Sequence, residues 1–195
     1  MPVSITPVSG DAILPWLDAL AQLRIQVFRD WPYLYDGTEA YERSYLKKYA
    51  DSTHGLMVLA QDGDKVVGAA SGLPMADADA EFQAPFVGGP RPLHEIFYFG
   101  ESVLDGRYRG QGIGHRFFDE RETFARQNGF RYCTFCAVQR PSGHPLRPAE
   151  ARDLAPFWRA RGYTPIEGAL AEFAWTDVGE EKQSVKPMQF WGKTL

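Results

Sequence analysis

IFYFGESVLDGRYRGQGIGHRFFDERETFARQNG, residues 96–129, joins a dense aromatic run, a glycine-rich turn with two arginines and an amphipathic helical pattern in one unbroken unit. Residues 96–104 are mostly aromatic or β-branched, which predicts a buried strand. Gly110, Gly112 and Gly114 then let the backbone turn tightly and approach a ligand with no Cβ in the way. Ile113, Phe117 and Phe124, with Gly114, Phe118 and Ala125, follow at helical spacing, and Asn128-Gly129 supplies the stop. The free N–H groups at the start of that helix and the positive end of its dipole make an anion site, with Arg107 and Arg109 just ahead of it. The spacing argues against two familiar cradles. There is no Gly-Lys-Ser/Thr of a nucleoside triphosphate loop. The G-x-G-x-G run is also mid-chain with arginine before it, unlike the G-x-G-x-x-G that opens a dinucleotide fold.

Upstream, residues 3–8 alternate as a first strand, and Ser9-Gly10-Asp11 leads into a helix from about Ala12 with Pro15 in its first turn. Leu14, Leu17, Leu20, Ala21, Arg24, Ile25 and Phe28 mark its inner face. An aromatic-rich loop, residues 28–37, follows. A second helix carries Tyr41, Tyr45 and Tyr49 on one stripe, read either as packing or as a pocket wall. Residues 56–61 and 65–73 flank Gln61-Asp62-Gly63-Asp64 as a hairpin. Residues 74–95 form a Pro, Gly and Ala-rich excursion with room for a short helix. Downstream come a strand over 131–138, a polar connection over 139–148, a helix over 149–161 and two last strands over 162–175 and 186–191.

The chain has 195 residues, 44% hydrophobic and 24% charged, which fits one globular domain spanning 1–195. A net charge of −4 argues against nucleic acid as a partner. No apolar run reaches the ~20 residues that span a bilayer, and the N-terminal sequence has no signal-peptide pattern, so the expectation is a cytoplasmic protein with no membrane partner. Cys133 and Cys136 are spaced C-x-x-C within a strand-like run, where positions three apart face opposite ways. They read as two buried thiols, with no metal site. Arg140, His144, Arg147 and Arg152 form a basic group after that strand, open to an acidic ligand or to neighbouring carboxylates. Trp175, Phe190 and Trp191 are candidates for a homodimer contact or for the core.

Arg109-Gly110-Gln111-Gly112-Ile113-Gly114 fits R/Q-x-x-G-x-G/A and resembles the coenzyme A signature of the GNAT superfamily of N-acyltransferases. The element order β, α, α, β, β, β, α, β, α, β, β resembles that fold over nearly the whole chain. The resemblance implies an α/β (α+β) architecture: a central mixed, mostly antiparallel six- to seven-stranded sheet flanked by about four helices. It implies acetyl-CoA as co-substrate, with residues 109–114 holding its pyrophosphate, and Val103 and Leu104 offering backbone groups to the thioester where the central strand splays. The implied function is transfer of an acetyl group to a primary amine, expected to be a small molecule, by direct attack. The alternatives are an acyl-CoA-binding module with little catalysis or an enzyme acting on a protein or peptide amine.

For the general base the candidate is Glu101, which by strand parity shares a face with Phe97, Phe99 and Val103. A structural carboxylate paired with an arginine is the competing reading. Tyr98, His94 and Glu95 are weaker alternatives. The loop beside the acyl group in this family points to Tyr33 and Tyr35 as acceptor-binding. Arg29 is a candidate for an acceptor carboxylate or for a pair with Asp30 or Asp36. The family's tyrosine that protonates the leaving thiolate corresponds here to Trp158, whose indole cannot serve as that acid.

Overall fold

The computed structural model describes residues 2–195. In chain order it contains β1 (Ser4–Ser9), α1 (Leu17–Phe28), α2 (Glu39–Asp51), β2 (Leu56–Asp62), β3 (Lys65–Pro74), α3 (Ala80–Gln83), β4 (Ile96–Tyr98), β5 (Ser102–Leu104), α4 (Ile113–Gln127), β6 (Tyr132–Val138), α5 (Ala155–Ala160), β7 (Thr164–Thr176) and β8 (Gln183–Thr194). The strands form one eight-stranded sheet in the order β1-β2-β3-β4-β6-β8-β7, with β5 paired to β3 beyond the end of β4. β4 and β6 run parallel, and the other pairings among the described residues are antiparallel. The architecture is the expected mixed α/β one, with one strand more because the run over 96–104 divides in two.

Each face of the sheet buries its own core. α1 and α2 cover Met57, Leu59, Ala69, Tyr98 and Val103 with Leu20, Leu46 and Tyr49. On the other face, Ile113, Phe117, Phe118 and Ala125 of α4 pack onto Val58, Val67, Phe97, Phe99 and Phe135. The spacings of four and seven among these α4 residues keep them on one helical face, so the stripe read in the sequence is the stripe that is buried. Cys133 and Cys136 lie one on each face. Burial pushes both thiols up to about 12, so at neutral pH they are inert protonated side chains. Phe190 and Trp191 are buried within the chain, and Trp175 packs on Tyr33.

Two expected helices differ from their sequence reading. The one expected from about Ala12 begins as a 3-10 turn over Gly10–Trp16 that holds Pro15, and α-helix follows only from Leu17. The one expected over 149–161 shrinks to α5, Ala155–Ala160. Its start is set by Asp153, whose carboxylate accepts the Ala155 N–H at 2.9 Å, and by Pro156 in the first turn. No helix among the described residues is long and apolar enough to cross a membrane.

Candidate active site

Everything in the site is placed by a one-residue irregularity in the central strand. β4 pairs β3 through Leu73↔Tyr98, and β5 pairs it through Ala70↔Ser102. Three steps along β3 thus face four steps along its partner, which is a β-bulge. The bulged pair is Gly100 and Glu101, opposite Ser71. The Gly100 N–H donates to the Ser71 carbonyl at 3.2 Å, the Glu101 N–H donates to Ser71 Oγ at 3.2 Å, and the Ser71 N–H donates to the Glu101 carbonyl at 3.0 Å. Only glycine fits at 100, because a Cβ there would overlap the Tyr49 hydroxyl.

The extra residue reverses which face each side chain takes. Phe97 and Phe99 belong to the α4 face, as parity predicts, but Val103 lies in the α1/α2 core and Leu104 packs on the α4 side. Glu101 therefore does not share a face with Phe97 and Phe99. It meets α1 and α2 instead, a correction that follows from the bulge.

The same irregularity opens a cleft. β4 and β6 stay together only as far as Tyr98↔Thr134 and the Phe99 N–H donating to the Thr134 carbonyl at 2.8 Å. Beyond that point β5 remains on β3 while β6 continues on β8 as far as Val138↔Met188. Ala69↔Val103 lies between the Ser71 N–H to Glu101 carbonyl bond and the Asp105 N–H to Val67 carbonyl bond of 2.9 Å. In an antiparallel ladder these groups alternate. The Val103 backbone is thus turned to β3, and the N–H groups of Ser102 and Leu104 face the cleft. Leu104 is where the sequence reading puts a backbone contact; Ser102, not Val103, is its companion. Parity counting missed Ser102, although Gly100 inside an otherwise strand-like run was the available sign of a bulge.

After β5, Asp105 caps a short turn. The Arg107 side-chain and backbone hydrogen bonds hold the Asp105 carboxyl at about 2. Arg107 is so committed, whereas Arg109 makes no ion pair among the described residues. Gly110 and Gly112 take φ of +79° and +77°, a left-handed conformation that other residues adopt only with strain. A Cβ built on either would meet nothing within 4 Å, so the space above the turn is open. The first bond of α4 runs from the Arg116 N–H to the Gly112 carbonyl. That leaves the amides of Ile113, Gly114 and His115 without helical partners at the positive end of a 15-residue helix. The turn, those amides and Arg109 fit a pyrophosphate.

On the α1/α2 face, Arg24 is buried between two carboxylates. Its guanidinium bonds Glu42 and lies 2.7 Å from Glu101 Oε2, and it stacks 4.4 Å from the Tyr45 ring centroid. Burial works against its charge, and Glu101 with Glu42 more than reverses that, leaving Arg24 above the ordinary arginine range. Tyr45 donates to the same Glu101 oxygen at 3.4 Å and shares a 3.0 Å bond with the Tyr49 hydroxyl. The other Glu101 oxygen carries no hydrogen bond among the described residues.

Tyr33, whose phenol is pushed up by burial, lies within electrostatic reach of Arg24 and Glu101, and Tyr35 lies beside Glu42. Tyr98 joins the same face but turns its hydroxyl to Cys136 Sγ, 3.5 Å away. Glu101, Tyr33, Tyr35 and Tyr98 are thus gathered together. Arg24 and Glu42 complete the group, and the lone arginine on the apolar face of α1 was the signal that could have found them.

Arg29 stands apart, exposed and paired with Asp36 at 2.6 Å. The basic group at 140–152 disperses. Arg140 is buried on Asp177 and on the Pro32 and Tyr33 carbonyls, where it fastens the aromatic loop to β7 and β8. Lys186 joins it on Asp177 at 2.9 Å. His144 packs on Trp31. Trp158 packs between Phe135 and Trp191, 5.1 Å from each ring centroid.

A family model described as acetyltransferase (GNAT) family matches residues 19–148. Among solved structures, the chain is similar to a ribosomal-protein-alanine N-acetyltransferase from Brucella melitensis, with 16% identity, a TM-score of 0.61, and 98% of this chain and 99% of that one covered. An acetyltransferase of the GNAT family from Streptococcus pneumoniae matches with 17% identity and a TM-score of 0.61, over 99% of both chains. A protein from Salmonella typhimurium, solved with its cofactor acetyl-CoA, matches with 11% identity and a TM-score of 0.61, over 98% of this chain and 94% of that one. No curated protein matches.

Proposed function

The chain belongs to the acetyltransferase (GNAT) family, and from that premise we propose that it moves the acetyl group of acetyl-CoA to the primary amine of a small, cationic acceptor seated against Glu101. The observation that carries this reading is the bulge. It brings a carboxylate with one unbonded oxygen and two free strand amides to the same end of the central strand, directly ahead of the glycine turn.

Bound acetyl-CoA supplies the activated acyl group as a thioester. Arg109, the turn and the first amides of α4 hold its phosphates, and the Ser102 and Leu104 amides line its acyl end. Those N–H groups stabilise the negative charge that grows on the carbonyl oxygen as the amine adds. Glu101 binds the incoming ammonium group and receives its proton, with Arg24 and Tyr45 fixing the orientation of the carboxylate. As the electron pair of the C–S bond leaves on sulfur, the nitrogen gives up its second proton, which ends on the departing thiolate; with Trp158 at the customary tyrosine position no side-chain acid is assigned to that transfer.

A cationic acceptor suits the charge balance, since Arg24 offsets one of the two carboxylates Glu42 and Glu101. The Lys48–Asp79 ion pair beside Tyr45 ties α2 to the 74–95 excursion and narrows the approach, which favours a compact acceptor. The experiment is release of free thiol from acetyl-CoA over diamines, amino acids and N-terminal peptides. Turnover is expected with diamines or other small cationic amines. Turnover confined to peptides removes the small-acceptor part, and binding of acetyl-CoA with no turnover anywhere removes the enzyme reading.

A further inference from the structure

Directly across the strand from Glu101, on the α4 face, lies a second buried arginine. Arg121 is 1% exposed, and its hydrogen bonds all go to neutral oxygens: the carbonyls of Phe117 at 3.1 Å, Ser71 at 3.3 Å and Glu101 at 3.1 Å, and Ser102 Oγ at 2.8 Å. Its guanidinium stacks 4.1 Å from the Phe99 centroid and 5.0 Å from that of Phe118.

Among the described residues it has no carboxylate within ion-pair distance. The acid beside it in the sequence, Glu122, is taken by Tyr163, Arg161 and Lys193, and the Glu101 carboxylate is on the other face with Arg24. Burial pulls Arg121 down to about 10, which still leaves it charged at neutral pH. A buried charge without a counter-ion is costly. Three neutral acceptors and a hydroxyl could be satisfied by an uncharged side chain, so the retained charge calls for an explanation.

Two of those carbonyls belong to the bulge itself, and the hydroxyl belongs to Ser102, whose amide faces the cleft. Arg121 therefore clamps β3 to β5 at the point where the strand splays. We infer that Arg121 is a positioning residue for acyl transfer: it fixes the Ser102 amide toward the cleft and leaves behind it a buried positive charge with no ion-pair partner among the described residues. That charge stabilises the negative charge on the acyl carbonyl oxygen as the amine nitrogen adds, and on sulfur as the C–S electron pair departs. It offsets the acid missing at Trp158 without transferring a proton. This inference rests on the acetyl-transfer reading of the cleft.

The test uses the full chain with Arg121→Met, Arg121→Lys and Ser102→Ala. The readout beyond activity is the infrared carbonyl band of acetyl-CoA labelled with 13C at the carbonyl carbon, recorded bound to each protein. In the wild type the band is expected at lower frequency than in free acetyl-CoA, and Arg121→Met should move it back toward the free position while the affinity for CoA itself stays within about twofold. For that variant kcat should fall roughly 100-fold, the loss typical of one oxyanion donor, with KM little changed, and Arg121→Lys should recover part of both effects. Should Arg121→Met not fold, the lysine and Ser102→Ala variants decide, each with a smaller band shift and kcat loss than Arg121→Met predicts. An unshifted band, or a loss confined to KM, overturns the inference while the acetyl-transfer reading stands. Failure of the wild type itself to bind acetyl-CoA removes both.

Discussion

The two faces of the sheet meet the same bulge with a buried arginine each, and they treat its charge in opposite ways. On the α1/α2 face, Arg24 is held by Glu42 and Glu101 in a closed ionic group. On the α4 face, Arg121 faces only carbonyls, a hydroxyl and aromatic rings. A neutralised cation projects little field beyond its partners, whereas an unpaired one in a poorly polarisable interior projects a strong one. In the proposed reaction the acceptor side is thus built for position, and the acyl side for charge. One inserted residue makes both possible, because it sends Glu101 to one face while its own carbonyl is bonded from the other.

The sharpest way to break this contrast is to remove Arg24. Arg24→Met leaves two buried carboxylates without their cation, and the variant should lose about 3–5 kcal/mol of stability in urea unfolding. Arg121→Met strands only neutral acceptors, so its loss in the same experiment should be smaller, about 1–3 kcal/mol. If Arg121→Met proves the more destabilising of the two, the difference drawn between the faces fails. Arg109→Ala, on the exposed turn, should weaken acetyl-CoA binding by roughly tenfold, about 1.4 kcal/mol, with an unchanged melting temperature, as read by calorimetry and thermal unfolding. Trp158→Phe should change kcat by no more than about twofold, within ~0.5 kcal/mol, because an indole contributes no acid to lose. A larger loss would mean that Trp158 shapes the cleft.

The contrast was only half legible in the sequence. The glycine turn, the amphipathic stripe of α4 and the order of the elements follow local rules of spacing, and each is found where those rules put it. The bulge obeys no local period. Gly100 could have signalled it, but whether a strand glycine marks a bulge depends on what packs against it, here the Tyr49 hydroxyl from α2. Once parity breaks at 100, the faces of Glu101 and of the Ser102 amide cannot be counted off from Phe97. The two arginines were hidden for a related reason. Arg24 and Arg121 each stand on an apolar helix face, and their sheet partners are distant in sequence, 77 and 50 positions away for Glu101 and Ser71. The helix expected over 149–161 is shorter because its start signal, Asp153 with Pro156, lies inside that span.

The claim on which the rest stands is that the splayed end of β5 and the glycine turn form one acyl-CoA site. Titration of acetyl-CoA into the wild-type chain in a calorimeter tests it most directly. One acetyl-CoA should bind per chain with a Kd on the order of micromolar, about −8 kcal/mol. No heat of binding and no shift in melting temperature at millimolar acetyl-CoA would contradict the account.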